Sequence, residues 1–367
     1  MINTASILPA EIHPEQKLAA PLLKERWVNI SMRYDEFWKF MYQYVLPTYT
    51  ELRDKQLISS FYYRVVFPQN NVIQLTYFVS PYNLERHVKP FLYKALDEYY
   101  YGLYPALSLA RPTEEILTGK DWPASFSINN FKLLGLEEYY VDEMTYVIGI
   151  KGARVLLDLA AKSAAISLRL FRDAGEGNWI VEDSIEKSLS LHCAGLHIFI
   201  GDETEIYHFL SWATASMFDN IRKLDNVVDM VEWKLNTLMG MEANFEGCKE
   251  SFCGYITYVL ECLRTKTAFE EEWLNNWVNS CHECKSTLMS LMKEGKLLCR
   301  ETVENDTTVF HDIDEATYKN WQITLSVMRM INWQIGVSLN YFLEVDLFYS
   351  MKQSFKAFLP NAVVNNA

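Results

Sequence analysis

A narrow row of polar side chains crosses an otherwise apolar stretch near the C-terminus. The stretch runs from about Ala316 to Met351 and has the pattern of one long helix. Intervals of three and four residues place its polar members on one helical face. Two interpretations are open: a solvent-facing stripe, or the wall of a cleft. The narrowness of the row, and its content of Gly and Asn in place of Lys and Glu, support the second. The row comprises Gln322, Ser326, Arg329, Asn332, Gly336 and Asn340.

The cysteine residues do not follow a metal-binding spacing. All seven lie between residues 193 and 299. The Cys-His-Glu-Cys segment at 281–284 resembles half of a metal site, but Cys299 and His311 are wrongly spaced to complete a compact zinc centre. Two cysteines three residues apart are also neighbours on a helix, and we favour that interpretation. The sequence therefore predicts no metal and no other cofactor.

Composition limits the partners and the compartment. The formal net charge of −13 leaves no basic surface for phosphates, so we expect no nucleic-acid partner. The first 20 residues lack a secretory apolar core, and no window suits a membrane helix, so we expect a cytoplasmic protein with reduced thiols and no membrane contact. His192 and His197 fall in an apolar run and are interpreted as structural histidines.

Strand patterns come first along the chain and helical patterns follow. Residues 1–24 form a loose arm, 27–32 alternate as a strand, and 61–79 read as a hairpin with a turn at 68–71. A helix is predicted at 84–101, followed by a domain boundary or long loop at 105–135. A strand is predicted at 143–150, and a helix begins at Gly152 and ends at Gly175. The prediction is an α+β fold in which an N-terminal, antiparallel-containing sheet carries helices on one face and a mainly helical region follows. Residues 25–350 form one unit, with an α+β half at 25–104, a helical half at 136–350, a polar insertion at 295–314 and a tail at 351–367.

Three segments resemble the C-terminal elimination domain of lantibiotic dehydratases and the related thiopeptide pyridine synthases. The first is the Trp27 strand with the following Tyr44-Val45-Leu46-Pro47. The second is the hairpin, Phe61-Tyr62-Tyr63-Arg64 and Val72-Ile73-Gln74-Leu75-Thr76, which is similar to the aromatic-Arg-Tyr and His-Ile-Arg-Leu-Arg strands of the family. The third is the segment from Glu143 to Phe171, and the tail Val337-Ser338-Leu339-Asn340-Tyr341 echoes a His-x-Asn-Arg ending.

The departures from the elimination domains indicate a different reaction. The resemblance implies that those domains use an arginine cluster and a histidine to remove glutamate from glutamylated Ser or Thr of a precursor peptide. Here the matching positions are Gln74, Thr76, Thr145, Ser338 and Tyr341, and Arg64 is retained. Neutral side chains cannot replace arginine as bidentate partners of a leaving carboxylate. The elimination reaction therefore looks disabled.

The resemblance then points to the pyridine synthases. It implies a formal [4+2] cycloaddition between two dehydroalanines of a modified precursor peptide, with macrocyclisation and loss of water and of the leader peptide. Neutral groups can polarise the backbone amide that must reach its imidic tautomer. The expected catalytic residues are Tyr146, Ser338, Asn340 and Tyr341, and the expected substrate-binding residues are Arg64, Gln74, Thr76, Arg329 and Asn332.

Ordinary structural roles remain open for each of these residues. Tyr146 and Tyr341 could be buried core residues, and Ser338 and Asn340 could face solvent. Arg64 could form a structural ion pair. The alternative functions are glutamate elimination with a rearranged site, a non-catalytic scaffold that binds leader peptide, and an unrelated helical protein. The expected partners are the modified precursor peptide, leader and core, and other enzymes of the pathway. By analogy of fold, the strand at 27–32 or the hairpin could offer a sheet edge to the leader.

Overall fold

The protein was analysed as a computed structural model, which describes residues 25–34, 36–66, 72–103, 128–133, 143–225, 230–295, 297 and 315–359. Within these ranges the chain forms a four-stranded sheet followed by a helical region. No described helix is long and apolar enough to cross a membrane.

The N-terminal part is an antiparallel sheet in the order β2-β3-β1-β4. Strand β1 (Arg26–Arg33) pairs with β3 (Val72–Val79) on one side and with β4 (Ile128–Leu133) on the other. Strand β2 (Ser60–Val66) completes the hairpin with β3 and forms an edge of the described sheet. The strand near residue 27 is therefore interior, which corrects the expectation that it offers an edge; the hairpin does so through β2.

Two helices of this part contain a π-helical turn. Helix α1 runs through Phe37–Phe40, the π-turn Met41–Val45 and Leu46–Asp54. Helix α2 runs through Pro81–Asn83, the π-turn Leu84–Val88 and Lys89–Leu103. The helix continues through Pro47, which is the second residue of the segment that follows the π-turn.

The two faces of the sheet carry different sets of side chains. The helix-covered face is apolar and aromatic: Tyr49 of α1 lies 5.1 Å, ring to ring, from Phe61 of β2, and the Tyr63 hydroxyl donates a 2.6 Å hydrogen bond to the carbonyl of Gln334. The opposite face carries alternate residues of the strands, among them Trp27, Tyr62 and Phe78. Successive side chains of a strand point to opposite faces, so neighbouring residues of β1, β2 and β3 lie on different faces of the sheet.

The rest of the described chain is helical. The helices are α3 (Glu143–Ala174), α4 (Val181–Phe199), α5 (Glu203–Asp225), α6 (Met230–Thr265), α7 (Glu272–Lys293), α8 (Glu315–Ile335) and α9 (Tyr341–Lys356). A short 3-10 turn, Val337–Leu339, joins α8 to α9. Their buried faces and the helix-covered face of the sheet share one apolar core.

The α+β fold class predicted from the sequence is confirmed, while three local predictions are wrong. Residues 143–150 are helical, and the only departure in that stretch is a kink at Gly149, whose φ is 69°. A strand at 128–133 lies inside the predicted boundary region. The single C-terminal helix is two helices. The expected stop at Gly175 is confirmed, with φ of 83°. The predicted arm, the turn at 68–71 and nearly all of the predicted insertion lie outside the described residues.

Candidate functional site

The break between α8 and α9 is built around Gly336. Its φ of 91° is left-handed, a conformation that suits glycine. A Cβ at this position would lie 2.6 Å from Cη2 of Trp38, so the contact with α1 also requires glycine. The chain then makes one 3-10 turn and restarts at Asn340. This break brings the last turn of α8, the 3-10 turn and the first turn of α9 together.

Six polar side chains meet at that break, and we name them the junction cluster: Ser188, His192, Arg329, Asn332, Ser338 and Glu344. The Asn332 amide lies at its centre and is fully buried. Its Oδ1 accepts hydrogen bonds from Ser188 at 2.5 Å and from His192 Nε2 at 2.7 Å. Its Nδ2 donates a 3.1 Å hydrogen bond to Oε1 of Glu344.

Glu344 is a buried carboxyl group with the cation Arg329 nearby. Arg329 Nε lies 3.7 Å from its Oε1, and the Arg329 side chain is 24% exposed while that of Glu344 is not exposed at all. Burial raises the pKa of Glu344, and Arg329, Asn332 and Ser338 each lower it without cancelling the effect. The arginine in turn stacks over Trp333, with its Cζ 5.3 Å from the ring centroid.

Two buried oxygens in the cluster make no hydrogen bond of ordinary geometry to any described residue. The Ser338 hydroxyl and Oε2 of Glu344 are both buried and lack a partner of ordinary geometry among the described residues. A buried polar atom without a partner costs free energy, so such atoms mark places where a water or a ligand group would be favourable. The Ser338 hydroxyl also lies close enough to the Glu344 carboxyl group to lower its pKa, so the two groups form one buried polar pair.

His192 is held neutral behind Asn332. It is fully buried, and desolvation lowers its pKa to about 4 against the opposing effect of its bond to Asn332. A neutral imidazole has one N–H, and the 2.7 Å contact with an amide oxygen assigns that N–H to Nε2. Its role in this geometry is to orient the Asn332 amide toward Glu344.

Other predicted residues take local roles near the break. Asn340 caps α9, since its Oδ1 accepts from the N–H groups of Phe342 and Leu343 at 3.0 and 3.4 Å. Tyr341 is buried, and its hydroxyl donates to the carbonyl of Met217 at 3.3 Å. The backbone of Tyr146 lies in α3, and its side chain is outside the described part of the structure.

Arg64, Gln74 and Thr76 share the second face of the sheet. Arg64 Nε donates to Gln74 Oε1 at 2.6 Å across the β2–β3 pair. Thr76 is fully buried, and neither its hydroxyl nor the Oδ1 of Asn29 opposite it on β1 forms a hydrogen bond within the described chain. This group is thus separate in sequence and in element from the junction cluster, and no described contact joins the two.

Arginine side chains gather at another place, a groove of about 490 Å³ between α1, α3 and α7. They are half-exposed, and each is paired with a carboxylate. Exposed pairs of this kind do not form a buried cradle for an anion. The pairs are Arg53–Asp54 at 3.0 Å, Arg169–Glu272 at 2.7 Å and Arg172–Asp173 at 3.4 Å.

Sequence reasoning placed Arg329, Asn332 and Ser338 in the site but missed Glu344, and it gave His192 no partner. The signal for Glu344 was an acidic residue, one of two with Asp346, in the apolar run that follows Asn340. Cys281 and Cys284 lie one turn apart on α7, and both are buried. Among the described residues, no three His, Cys, Asp or Glu side chains are arranged to hold a metal ion.

Comparison with known proteins gives a likeness of fold. No protein-family model matches the sequence, and no curated protein sequence matches it significantly. Among solved structures, TsrL matches with a TM-score of 0.56 and 13% identity over 90% of this chain and 96% of that one. TbtD, the pyridine synthase from thiomuracin biosynthesis, matches with a TM-score of 0.58 and 11% identity over 91% of this chain and 98% of that one. The resemblance drawn from the sequence is therefore confirmed at the level of fold: the chain folds as the pyridine synthase TbtD does, along nearly its whole length.

Proposed function

We propose that this chain is a pyridine synthase acting on a modified precursor peptide. The reaction is a formal [4+2] cycloaddition of two dehydroalanines, followed by loss of water and release of the leader, which closes a macrocycle. The observation that carries the proposal is the match in fold to a pyridine synthase over 91% of this chain and 98% of that one. Fold alone does not fix chemistry, so the argument also needs the junction cluster.

The proposed reaction sets two physical tasks. The two dehydroalanines belong to one chain and must be held face to face, which supplies a high effective concentration. One backbone amide must pass a proton from nitrogen to oxygen to reach its imidic form, and a later step must pass a proton to the departing hydroxyl. Bond formation and both losses are redox-neutral, so no oxidant or reductant enters the balance.

The junction cluster suits these proton movements. A buried carboxyl group with a raised pKa holds a proton more readily than an exposed one, so Glu344 can donate to an amide or hydroxyl oxygen. The Ser338 hydroxyl lies beside it and lowers its pKa. We assign these two groups to the reacting amide, and Arg329 and Asn332 to carbonyl oxygens of the bound peptide.

Other predicted residues enter the proposal in supporting roles. Asn340 and Tyr341 position the start of α9, and with it Glu344, through the helix cap and the bond to Met217. Arg64, Gln74 and Thr76 are proposed to contact the peptide on the second face of the sheet. The contribution of Tyr146 stays a prediction.

The test is a reaction with purified protein and a dehydrated, azole-bearing precursor peptide, followed by mass spectrometry. A macrocycle and free leader are expected. Loss of glutamate from a glutamylated peptide would replace the proposal with an elimination enzyme, and binding with no change of mass would replace it with a scaffold.

A pair of serine variants locates the site in the same assay. We expect Ser338→Ala to slow product formation about 100-fold or more, the range of acid–base contributions. Ser354→Ala is the matched control, because the hydroxyl of this buried serine on α9 donates a 2.9 Å hydrogen bond to the carbonyl of Ser350, one turn earlier in the same helix. Equal rates for the two variants would remove the junction cluster from the reaction.

A further inference from the structure

A second cavity lies between α4, α6 and α9, on the side of α9 away from Glu344. Its volume is about 520 Å³. Each of the three helices presents one stripe of residues spaced by three or four, so the walls are continuous helix faces. The apolar walls are Ile185 and Leu189 from α4, Phe252 and Tyr255 from α6, and Leu343 and Leu347 from α9.

The charged residues of this lining have one sign. Glu182, Glu186 and Asp346 face the cavity, and no Lys or Arg is among its lining residues. Glu186 already has a cation, Lys187, at 2.6 Å from its carboxylate. Among the described residues, neither Glu182 nor Asp346 has a cation at salt-bridge distance, and Asp346 is the less exposed of the two, so it is the charge that a ligand group inside the cavity would meet.

Asp346 lines the cavity, and one of its two carboxylate oxygens lacks a hydrogen bond within the described chain. Its Oδ2 accepts a 3.2 Å hydrogen bond from Asn244, whereas Oδ1 is buried and forms no hydrogen bond within the described chain. Burial raises the pKa of this carboxyl group, and the Asn244 bond acts in the opposite direction. A cationic donor that reached Oδ1 would restore the hydrogen bond that burial removes.

We propose that this cavity binds a peptide segment in which a lysine side chain is flanked by apolar ones. The apolar neighbours pack against the leucine and aromatic walls, and the ammonium group donates to Oδ1 of Asp346. Charge complementarity selects this occupant over an acidic or purely apolar one, because a cation is the group that the lining lacks. The inference is independent of the proposed pyridine synthase activity.

The test compares two labelled peptides on the full-length protein by fluorescence anisotropy. One is capped Leu-Lys-Leu-Phe, and the other carries acetyl-lysine in place of lysine, which removes the charge and keeps the chain. We expect the lysine peptide to bind at least about tenfold more tightly, as a charge-assisted hydrogen bond would give. Equal affinities, or no binding of either peptide, would overturn the proposal.

Three variants assign the binding to the cavity. Asp346→Asn should bring the affinities of the two peptides together, and Ser251→Trp should weaken both by filling the space beside Phe252. Glu250→Gln is the matched control, because it removes a carboxylate from α6 outside the lining. A preference for lysine that persists in Asp346→Asn, or that Glu250→Gln abolishes, would place the peptide elsewhere.

Discussion

The amide of Asn332 donates its hydrogen bond to Glu344 across the break between α8 and α9, at 3.1 Å. Because Ser188 and His192 hold the oxygen of the same amide, the nitrogen cannot turn away from the carboxyl group. A neutral side chain thus connects two titratable groups, His192 and Glu344, whose pKa values move in opposite directions. The network can be tested by changing one group at a time.

Replacing Asn332 by aspartate should destabilise the protein strongly. The new carboxylate would lie beside the carboxyl group of Glu344 and could no longer donate to it. Ser188 and His192 would still donate to its other oxygen, but a buried charge without a paired cation costs about 3 kcal/mol or more. Asn340→Asp makes the same change eight residues later in the sequence, at a helix cap where aspartate serves as well as asparagine. Urea unfolding of the two variants should show a large loss for the first and almost none for the second. Similar losses would mean that the network contributes no specific stability.

Glu344 should make the protein less stable as the pH rises. Its pKa is higher in the folded protein than in the unfolded chain, so the folded state binds the proton more tightly. The associated stability is full below the unfolded pKa and is lost as the pH rises through the folded pKa. Glu344→Gln removes this dependence. The free energy of unfolding, measured from pH 4 upward, should therefore fall for the wild type relative to the variant; parallel curves would show that Glu344 titrates as an exposed acid does.

His192 should make the protein less stable as the pH falls. Its pKa is about 4 in the folded protein, below the usual value of 6.5, so the unfolded chain binds the proton first. Stability is therefore lost as the pH falls from about 6.5 to 4, by about 3 kcal/mol in total. His192→Gln keeps an N–H for Asn332 and has no titration, so its unfolding free energy should not show that loss. An unchanged slope in the variant would assign the acid sensitivity to other groups.

Much of the fold was predictable because local patterns determine it. The alternation of β1, the strand-forming residues of β2 and β3 and the helix stop at Gly175 were predicted correctly from single segments. Residues 143–150 were predicted wrongly, because their β-branched side chains favour a strand although the segment is helical. The edge position of β2 was also open, because strand order depends on pairing between distant segments.

The site was half predictable for a similar reason. The polar row of the C-terminal stretch revealed Arg329 and Asn332, but a glycine inside an apolar helical pattern is usually tolerated without a break. What excludes a side chain at Gly336 is Trp38, on a helix at the other end of the sequence. Without the break, Glu344 would not lie beside Asn332. From the sequence alone, an acidic residue at this position is equally well explained by its place in the first turn of α9, where it interacts favourably with the helix dipole.

Gly336→Ala should therefore cost more than the strain of its backbone. A left-handed conformation costs an L-residue about 1–2 kcal/mol, and here the new Cβ also meets Trp38 at 2.6 and 2.8 Å. The indole cannot move aside, since it packs against Phe37, Phe171 and Trp179 with ring centroids 4.8, 5.4 and 6.1 Å away.

Comparison with Gly177 separates the cost of the left-handed backbone from the cost of the clash with Trp38. The φ of Gly177, 77°, is also left-handed, but a Cβ there would meet nothing within 4 Å. Thermal unfolding should show a loss of about 1 kcal/mol for Gly177→Ala and of about 3 kcal/mol or more for Gly336→Ala. Adding Trp38→Leu to Gly336→Ala should cost less than the sum of the two single changes, because the smaller side chain relieves the clash. Additive losses would show that the indole does not hold the break in place, and with it the position of Glu344.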